Sequence, residues 1–238
     1  MNMFDIRRRM MLEGGVSADP ILENNDWETI SKIARAGKAA EYWNIGDLKN
    51  ININGAIYAA QIIGFDHDDV VDSAVYGREK AGITFQLQNC LNTTYSINYP
   101  NDNKCAWENC TLRTTTLVNF YNDFANYDPK LHEAITKVKK YYINASNIGT
   151  TVEDNLFLLS EMEVMGTVTY AKSAEGNRYA YYAAGNSYSK NVNGTPTMWW
   201  ERSIYKGNNV SFTGVYPTTG YYYAMSNLPY GVAFAFCV

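Results

Sequence analysis

The last nine residues of the chain, YGVAFAFCV (230–238), decide the fold prediction. Val232, Phe234 and Phe236 alternate along this stretch, and apolar residues fill nearly every other position as well. A strand that is apolar on both faces is typical of the interior of a sheet. We therefore expect the chain to end in a central strand, with the rest of the protein built around it.

Short apolar segments and polar stretches alternate through the chain ahead of this strand. From about residue 171 onward, Gly, Asn, Ser, Tyr and Thr separate the apolar segments. Earlier in the chain, Asn54-Gly55 between two apolar runs is a strong signal for a two-residue hairpin turn. The predicted strand segments are 48–65 (a hairpin), 82–88, 155–160, 198–202 and 210–215.

Helical patterns lie in the earlier part of the chain. Asp26 is the expected N-cap of a first helix, in which Trp27 and Ile30 begin a buried stripe. Asp128-Pro129 predicts the start of another helix, with Asp as the cap and Pro at the first helical position. Its predicted buried face is Leu131, Ile135, Val138 and Tyr142.

A further helix is predicted over residues 107–124. Its expected buried stripe is Trp107, Cys110, Thr114, Leu117 and Tyr121. Together these patterns predict an α+β fold, with early helices followed by a C-terminal antiparallel β region that has long loops.

Composition and charge exclude several classes of function. The chain has 238 residues, of which 18% are charged and 20 are tyrosines, and its net charge is −4. A nucleic-acid-binding domain would carry a basic face instead. No apolar run approaches the roughly 20 residues that a membrane-spanning helix requires. We expect no nucleic-acid partner and no membrane insertion.

The first 25 residues are predicted to form an arm or tether ahead of a single domain at 26–238. Arg7, Arg8 and Arg9 are followed only by a short apolar run, Met10 to Leu12, which does not make a signal peptide. We therefore expect the chain to be made in a cytoplasm. The alternatives for residues 1–25 are a frayed terminus and a tether that docks onto a larger assembly.

Four cysteines are present, at positions 90, 105, 110 and 237. They form no CxxC pair and the chain has only two histidines, which argues against a zinc site. Buried free thiols are the favoured interpretation, and a loop disulfide between Cys105 and Cys110 is the alternative.

Acidic residues offer only weak candidates for chemistry. Asp66, Asp68 and Asp69 could supply oxygen ligands for Ca²⁺, but a solvated loop is the simpler interpretation. Glu161 and Glu163 resemble a glycosidase pair in type, although we expect Glu161 to neutralise Arg202 as a structural ion pair. Sequence motifs of hydrolases, zinc proteases and phosphate-binding loops are absent. The chain is therefore predicted not to be an enzyme and to need no cofactor.

The segment from Tyr205 to Tyr230 carries the main functional signal. It holds six tyrosines among Ser, Thr, Asn and Gly, the mixture that binding loops use for rigid contact area and adaptable hydrogen bonds. A β-rich segment in which Tyr merely suits strands is the alternative. The candidate ligand contacts are Tyr205, Asn208, Asn209, Ser211, Thr213, Tyr216, Tyr221, Tyr222, Tyr223 and Asn227.

Several blocks of the chain resemble a domain family common in gut anaerobic bacteria and their phages. The blocks are AGKAAEYWNIGD (36–47), QIIGFDHDD (61–69), KAGITFQLQNCL (80–91), LFLLSEMEVMG (156–166), MWWERS (198–203) and YGVAFAFCV (230–238). The MWWERS block and the chain ending also resemble the C-type-lectin-like fold. The resemblance implies a buried scaffold beneath the tyrosine-rich segment, made of Trp199, Trp200, Val232, Phe234 and Phe236. Arg202 and Glu161, the expected ion pair, are the other predicted structural residues.

The lectin-like resemblance extends to the variable proteins of diversity-generating retroelements. Their variable codons arise from Asn codons mutated at adenines, and between residues 205 and 227 only Lys206 and Met225 fall outside the amino acids so reached. The resemblance therefore implies a phage tail or virion receptor-binding protein that recognises a bacterial surface protein or glycan. The arm would attach it to the tail or fibre, in several copies as a homo-oligomer.

Two other functions stay open at this point. The first is a bacterial surface or secreted adhesin of the same fold. The second is an enzyme of the formylglycine-generating type, which needs a reactive cysteine near the chain end. Cys237 is the only late cysteine, and its apolar strand predicts a core position instead.

Overall fold

A computed structural model of the chain describes residues 18–99 and 106–238. Helices and antiparallel sheets are both present, so the predicted α+β class is confirmed. The α-helices are α1 (Trp27–Arg35), α2 (Ala39–Tyr42), α3 (Ser73–Tyr76), α4 (Val118–Tyr127), α5 (Pro129–Ala134), α6 (Glu161–Met165) and α7 (Ala180–Ala183). Short 3₁₀ turns lie at Leu22–Asn24 and Trp107–Asn109, and a π-helical segment at Leu112–Leu117.

Strands occupy most of the remaining regular structure. They are β1 (Leu48–Ile53), β2 (Ala56–Phe65), β3 (Ile83–Leu87), β4 (Val138–Ile143), β5 (Gly149–Asp154), β6 (Leu156–Phe157), β7 (Lys190–Val192), β8 (Thr195–Thr197), β9 (Trp199–Ile204), β10 (Ser211–Tyr216), β11 (Gly220–Met225) and β12 (Ala235–Cys237).

The chain ends inside the largest sheet. This sheet has five strands in the order β1-β2-β3-β12-β6, so β12 lies between β3 and β6 and the predicted interior position is confirmed. Phe236 pairs with Phe85 in register, and their rings stack at 5.3 Å. Trp27 of α1 packs its ring edgewise against both, at 5.5 and 6.0 Å. The core therefore joins the first helix to the last strand.

The start of α1 and the turn of the first hairpin lie where the local sequence predicted them. Asp26 caps α1 by accepting a hydrogen bond from the Thr29 N–H at 2.7 Å. Asn54 and Gly55 have φ of 51° and 86°, the left-handed pair that a tight hairpin turn between β1 and β2 requires. Glycine is required at position 82 for a steric reason. A Cβ there would lie 2.2 Å from the Ala34 carbonyl, so glycine lets β3 approach α1.

The helix predicted from Asp128 onward is shorter than expected. Asp128 caps α5 as predicted, but the helix ends at Ala134. Val138 and Tyr142 lie in β4, which pairs with β5, so their assignment to a helical face was wrong. The physical reason is that side chains of β4 alternate between buried and exposed, the period of a strand.

The helix predicted over 107–124 is divided into a 3₁₀ turn, the π-helical segment and α4. A π-helix has more residues per turn, which shifts the phase of the stripe. Thr114 is consequently exposed, although Trp107, Cys110 and Leu117 are buried as predicted.

The predicted arm at 1–25 is described only from residue 18 onward. Residues 1–17 lie outside the described residues. Residues 18–25 pack on the domain: Ala18 and Leu22 are buried, and Asp19 O accepts a hydrogen bond from Trp43 Nε1 at 3.2 Å. The described domain therefore includes residues ahead of the expected boundary at 26.

Three cysteines, Cys90, Cys110 and Cys237, are buried free thiols, as the favoured interpretation predicted. Cys105, and with it the alternative Cys105–Cys110 disulfide, lies outside the described residues. Within 18–99 and 106–238, no helix is both long and apolar enough to cross a membrane.

Candidate functional site: a tyrosine surface on an edge strand

The tyrosine-rich segment forms a β-hairpin, so the strand predicted at 210–215 is confirmed as β10 and the β-rich alternative describes the backbone. β10 and β11 pair antiparallel over their whole length, with Thr213 opposite Tyr223 and Gly214 opposite Tyr222. β10 also pairs with β9, so β11 is the outer strand of the three-stranded sheet β11-β10-β9. The hairpin follows from the β-branched and aromatic residues of the segment, which favour extended backbone.

One group of tyrosine rings lies on one side of β11. The rings of Tyr205 and Tyr223 are nearly parallel, with centroids 3.8 Å apart. Tyr170 meets both edgewise, at 6.1 Å from Tyr205 and 5.0 Å from Tyr223. The backbone explains this meeting, because the Lys206 N–H donates to the Tyr170 carbonyl at 2.8 Å and so holds the two segments together.

A second group continues around the strand. Tyr222 lies 5.4 Å from Tyr216 and 6.4 Å from Tyr223. Tyr230 lies beside Tyr222 and packs edgewise on Trp200 at 5.2 Å. We call Tyr170, Tyr205, Tyr216, Tyr222, Tyr223 and Tyr230 the tyrosine surface.

The tyrosine surface is accessible and electrically neutral. Tyr216, Tyr222 and Tyr223 expose 43%, 37% and 40% of their surface. A hydrogen bond with Tyr223 raises the pKa of the Tyr205 hydroxyl, and burial beside Tyr222 raises the pKa of Tyr230. These two phenols therefore stay protonated at neutral pH, and the surface as a whole offers ring faces with hydroxyl groups at their edges.

The candidate contacts predicted from sequence fall into three groups. Tyr205, Tyr216, Tyr222 and Tyr223 belong to the tyrosine surface, and Asn208 is exposed in the turn between β9 and β10. Ser211 and Thr213 do not belong to it, since they are only 3% and 0% exposed. Their burial follows from their place on β10, the middle strand of its sheet.

The remaining three candidates are half-buried. Asn209 is held on both sides: Lys172 Nζ donates to its Oδ1 at 2.6 Å, and its Nδ2 donates to the Ala145 carbonyl at 3.1 Å. The Tyr221 hydroxyl shares a hydrogen bond with the Thr167 hydroxyl. Asn227 accepts from the Ser96 hydroxyl through its backbone carbonyl at 2.8 Å. These residues shape the hairpin more than they face a ligand.

Tyr230 and Tyr170 are members of the tyrosine surface that were not among the predicted contacts, and Tyr170 also lies outside the predicted segment. It lies 35 positions before Tyr205 in the chain, and nothing in its neighbourhood, Thr167 to Ala171, marks it as part of a surface. Only the bridge between Ala171 and Tyr205 brings it there. The general excess of tyrosine was the one available signal.

The structural residues predicted from the sequence all lie in the interior. They are Trp199, Trp200, Arg202, Glu161, Phe234 and Phe236. Trp199 Nε1 donates to the Tyr188 carbonyl at 3.0 Å, and Trp200 Nε1 donates to the Tyr95 carbonyl at 2.8 Å. Both indoles therefore satisfy their donor while filling the core.

Arg202 does not pair with Glu161 as predicted. Its guanidinium binds both carboxylate oxygens of Glu163, one of them at 3.0 Å. Glu161 instead accepts the backbone N–H groups of Tyr170 at 2.9 Å and Ala171 at 2.7 Å. The two glutamates are both buried on α6, and which one meets Arg202 depends on how α6 docks.

Arg202 and Glu163 belong to a larger buried charge network. Lys140 Nζ donates to Asp68 Oδ1 at 2.6 Å and to Glu163 Oε1 at 2.8 Å, and the Tyr179 hydroxyl donates to Asp68. Burial alone would raise the pKa of Asp68, but Lys140 outweighs it and holds that pKa well below its usual range. Lys140 and Arg202 thus neutralise Asp68 and Glu163, the pairing that buried ions require. A third buried carboxylate, Glu175, lies 3.9 Å from Arg202 Nε, and burial raises its pKa.

The acidic loop predicted as a weak metal candidate does not gather its carboxylates. Asp66 pairs with Arg78 at 2.8 Å and Asp69 with Lys80 at 2.6 Å, whereas Asp68 is buried in the charge network. The solvated-loop interpretation was therefore wrong for Asp68. His67, Asp68 and Glu163 do place ligand atoms within 4.8 Å of one another, but the Lys140 ammonium binds both carboxylates of that group.

Comparison with known proteins agrees with part of the resemblance. A family model described as "Domain of unknown function (DUF6273)" matches residues 82–238. The matched part runs from β3 to β12. It includes the whole tyrosine surface and all of the charge network except Asp68. No curated protein and no solved structure matches the chain.

Proposed function

The chain belongs to the DUF6273 family, and from that premise we propose that it is a ligand-binding domain whose tyrosine surface recognises a molecule on a bacterial cell. The observation that carries this proposal is the continuous set of neutral, accessible tyrosine rings around the edge strand β11. Contiguous exposed patches of large rings are typical of interaction sites on soluble proteins.

The geometry suits recognition for three reasons. Stacked rings such as Tyr205 and Tyr223 are already ordered, so little side-chain entropy is lost on binding. Ring faces pack on the apolar faces of sugars or side chains, and the phenol groups exchange hydrogen bonds at the rim. Beneath them β10 and β9 are buried almost completely, which gives the surface a rigid support.

In its specific form, the proposal is a phage tail or virion receptor-binding protein. The family resemblance supports it, as does the fact that Asn208, Tyr216, Tyr222 and Tyr223 are both exposed and reachable from Asn codons by adenine mutation. The N-terminal arm would attach the domain to the tail or fibre in several copies. A near-copy of the 3′ end of the gene, differing at adenines and beside a reverse transcriptase gene, would support diversification.

The surroundings of Cys237, the one cysteine near the end of the sequence, do not favour thiol chemistry. Cys237 is fully buried beside Thr84 and Asp68, and burial raises the pKa of its thiol well above the ordinary value. A buried neutral thiol is a poor nucleophile. We therefore do not pursue an enzyme of the formylglycine-generating type.

The test is cell binding by fluorescently labelled protein across a panel of gut anaerobic bacteria. The double substitution Tyr222→Ala with Tyr223→Ala is expected to abolish binding to any strain that the unchanged protein labels. Tyr127→Ala is the matched control, since Tyr127 is 46% exposed and lies on α4, away from the tyrosine surface. Unchanged labelling by a folded double variant would refute the assignment of the surface.

A further inference from the structure

We propose a second, separate binding site: a small pocket lined by side-chain amides that accepts one ring of a neutral, hydroxyl-rich ligand such as a sugar. The pocket lies between β2, the segment after β3 and the hairpin β7–β8, and its volume is about 230 Å³. This is below the roughly 300–1,000 Å³ of pockets for drug-sized ligands, so it suits a single ring. Its main polar lining residues are Tyr58, Gln88, Asn89, Asn92, Asn191 and Asn193.

The walls of this amide pocket are cross-linked by hydrogen bonds between distant parts of the chain. Asn89 Oδ1 accepts from the Asn191 N–H at 3.1 Å, and Asn193 Nδ2 donates to the Asn92 carbonyl at 2.8 Å. The Tyr58 hydroxyl accepts from the Asn92 N–H at 3.3 Å. Each bond joins segments that are at least 34 positions apart, so the pocket is pre-formed and a ligand need not order it.

Other amide groups of the same pocket are left for a ligand. The side-chain amides of Gln88, Asn92 and Asn191 make no hydrogen bond with any described residue, although all three line the pocket. A carboxamide offers two N–H donors and an acceptor oxygen, which matches the adjacent hydroxyl groups of a sugar. Beside them the Tyr58 ring and the exposed Ile57 side chain offer apolar surface for the C–H face of such a ring.

Charge decides against an ionic ligand. Within the described residues, the lining contains no Asp, Glu, Lys, Arg or His. Burial raises the pKa of the Cys90 thiol in the wall to about 12, so it is neutral as well. Lys190 directs its Nζ at the Leu87 and Gln88 carbonyls, at 2.6 and 3.1 Å. A charged ligand would lose hydration here without gaining an ion pair.

The site is independent of the tyrosine surface, because the two share no residue. It also differs in chemistry, since amides dominate one and aromatic rings the other. The proposal therefore survives or fails separately from the proposed function.

The experiment follows the side-chain amide signals of ¹⁵N-labelled protein by NMR during titration with methyl glycosides. The probes are those of glucose, galactose, mannose and N-acetylglucosamine, each to about 20 mM, which detects millimolar affinity. At least one is expected to shift the Gln88 and Asn191 signals in a saturable way. Glucuronate, the charged match of glucose, is expected to bind at least about tenfold more weakly.

Variants make the test specific. Gln88→Ala and Asn191→Ala are each expected to weaken binding about tenfold, the effect of one or two lost hydrogen bonds. Asn119→Ala removes an exposed amide on α4 and should change nothing, as should Tyr223→Ala. The proposal is overturned if none of the four glycosides shifts these signals. It is also overturned if both folded pocket variants bind as the unchanged protein does, or if glucuronate binds as tightly.

Discussion

β9 and β11 flank the same strand, β10, yet they lie in opposite environments. Every residue of β9 is buried, and Arg202 on it belongs to the charge network. In β11 the middle tyrosines are exposed, and the strand has an unpaired edge within its sheet. One small sheet therefore holds both a strand that tolerates little substitution and a strand that tolerates more. Substitutions in β9 must disturb ion pairs and packing, whereas those in β11 disturb mainly what the surface contacts.

The largest effect is expected from Arg202→Ala. Removing the guanidinium takes away one of the two cations that pair with the buried Glu163 carboxylate and leaves Lys140 as the other. Breaking a buried ion pair in this way costs about 3–5 kcal/mol. Urea unfolding followed by circular dichroism measures the loss. Lys130→Ala, which breaks the exposed pair with Glu133, is the control and should change stability by less than about 1 kcal/mol. Equal effects of the two substitutions would mean that the buried and the exposed ion pair contribute alike to stability.

Acid should weaken the network through Asp68. Because Lys140 lowers the pKa of Asp68 in the folded state, its contribution is complete above the unfolded carboxyl pKa of about 3.9 and is lost as pH falls below that value. The stability difference between the unchanged protein and Asp68→Asn should therefore be large at pH 7 and shrink between pH 4 and pH 2. Unfolding free energies across this range test it. A difference that does not depend on pH would mean that the network is not charged.

A substitution of Glu201 on β9 is expected to have a smaller effect on stability, and of opposite sign. The Glu201 carboxyl lies beside the Thr213 hydroxyl but makes no hydrogen bond of ordinary geometry within the described residues, and burial raises its pKa well above the ordinary value. A raised carboxyl pKa costs stability as pH rises above the unfolded pKa, about 4.3. Glu201→Gln should therefore stabilise the fold at pH 8 relative to the unchanged protein, and the gain should vanish near pH 4. Melting temperatures at both pH values measure the change, and a loss at pH 8 would contradict it.

The smallest effect on stability is expected from Tyr222→Ser on β11. Tyr222 is 37% exposed, and its ring pairs with those of Tyr216 and Tyr223. Aromatic pairs of this kind contribute about 0.5–1.5 kcal/mol. Unfolding should shift by about 1 kcal/mol or less. If Tyr222→Ser destabilised the fold as much as Arg202→Ala, β11 would be part of the core and not a replaceable surface.

Sequence reasoning succeeded where neighbours along the chain decide the structure. Asp26 caps α1, Asn54-Gly55 turns the first hairpin, and YGVAFAFCV lies inside the main sheet. These features follow from local backbone preference and from the period of apolar residues. The prediction failed at β4 because Lys140, a charged residue, occupies a buried position there and interrupts the apolar pattern of a buried strand.

By itself, the sequence determined the α+β class, the central last strand and the concentration of tyrosines ahead of it. The tertiary structure alone decided which tyrosines share a surface, that Tyr170 joins them, and that Ser211 and Thr213 do not. It also decided that Glu163 rather than Glu161 neutralises Arg202. The physical reason is range: caps, turns and periodicity act within a few residues, whereas ion pairs and ring contacts join segments that only the completed fold brings together.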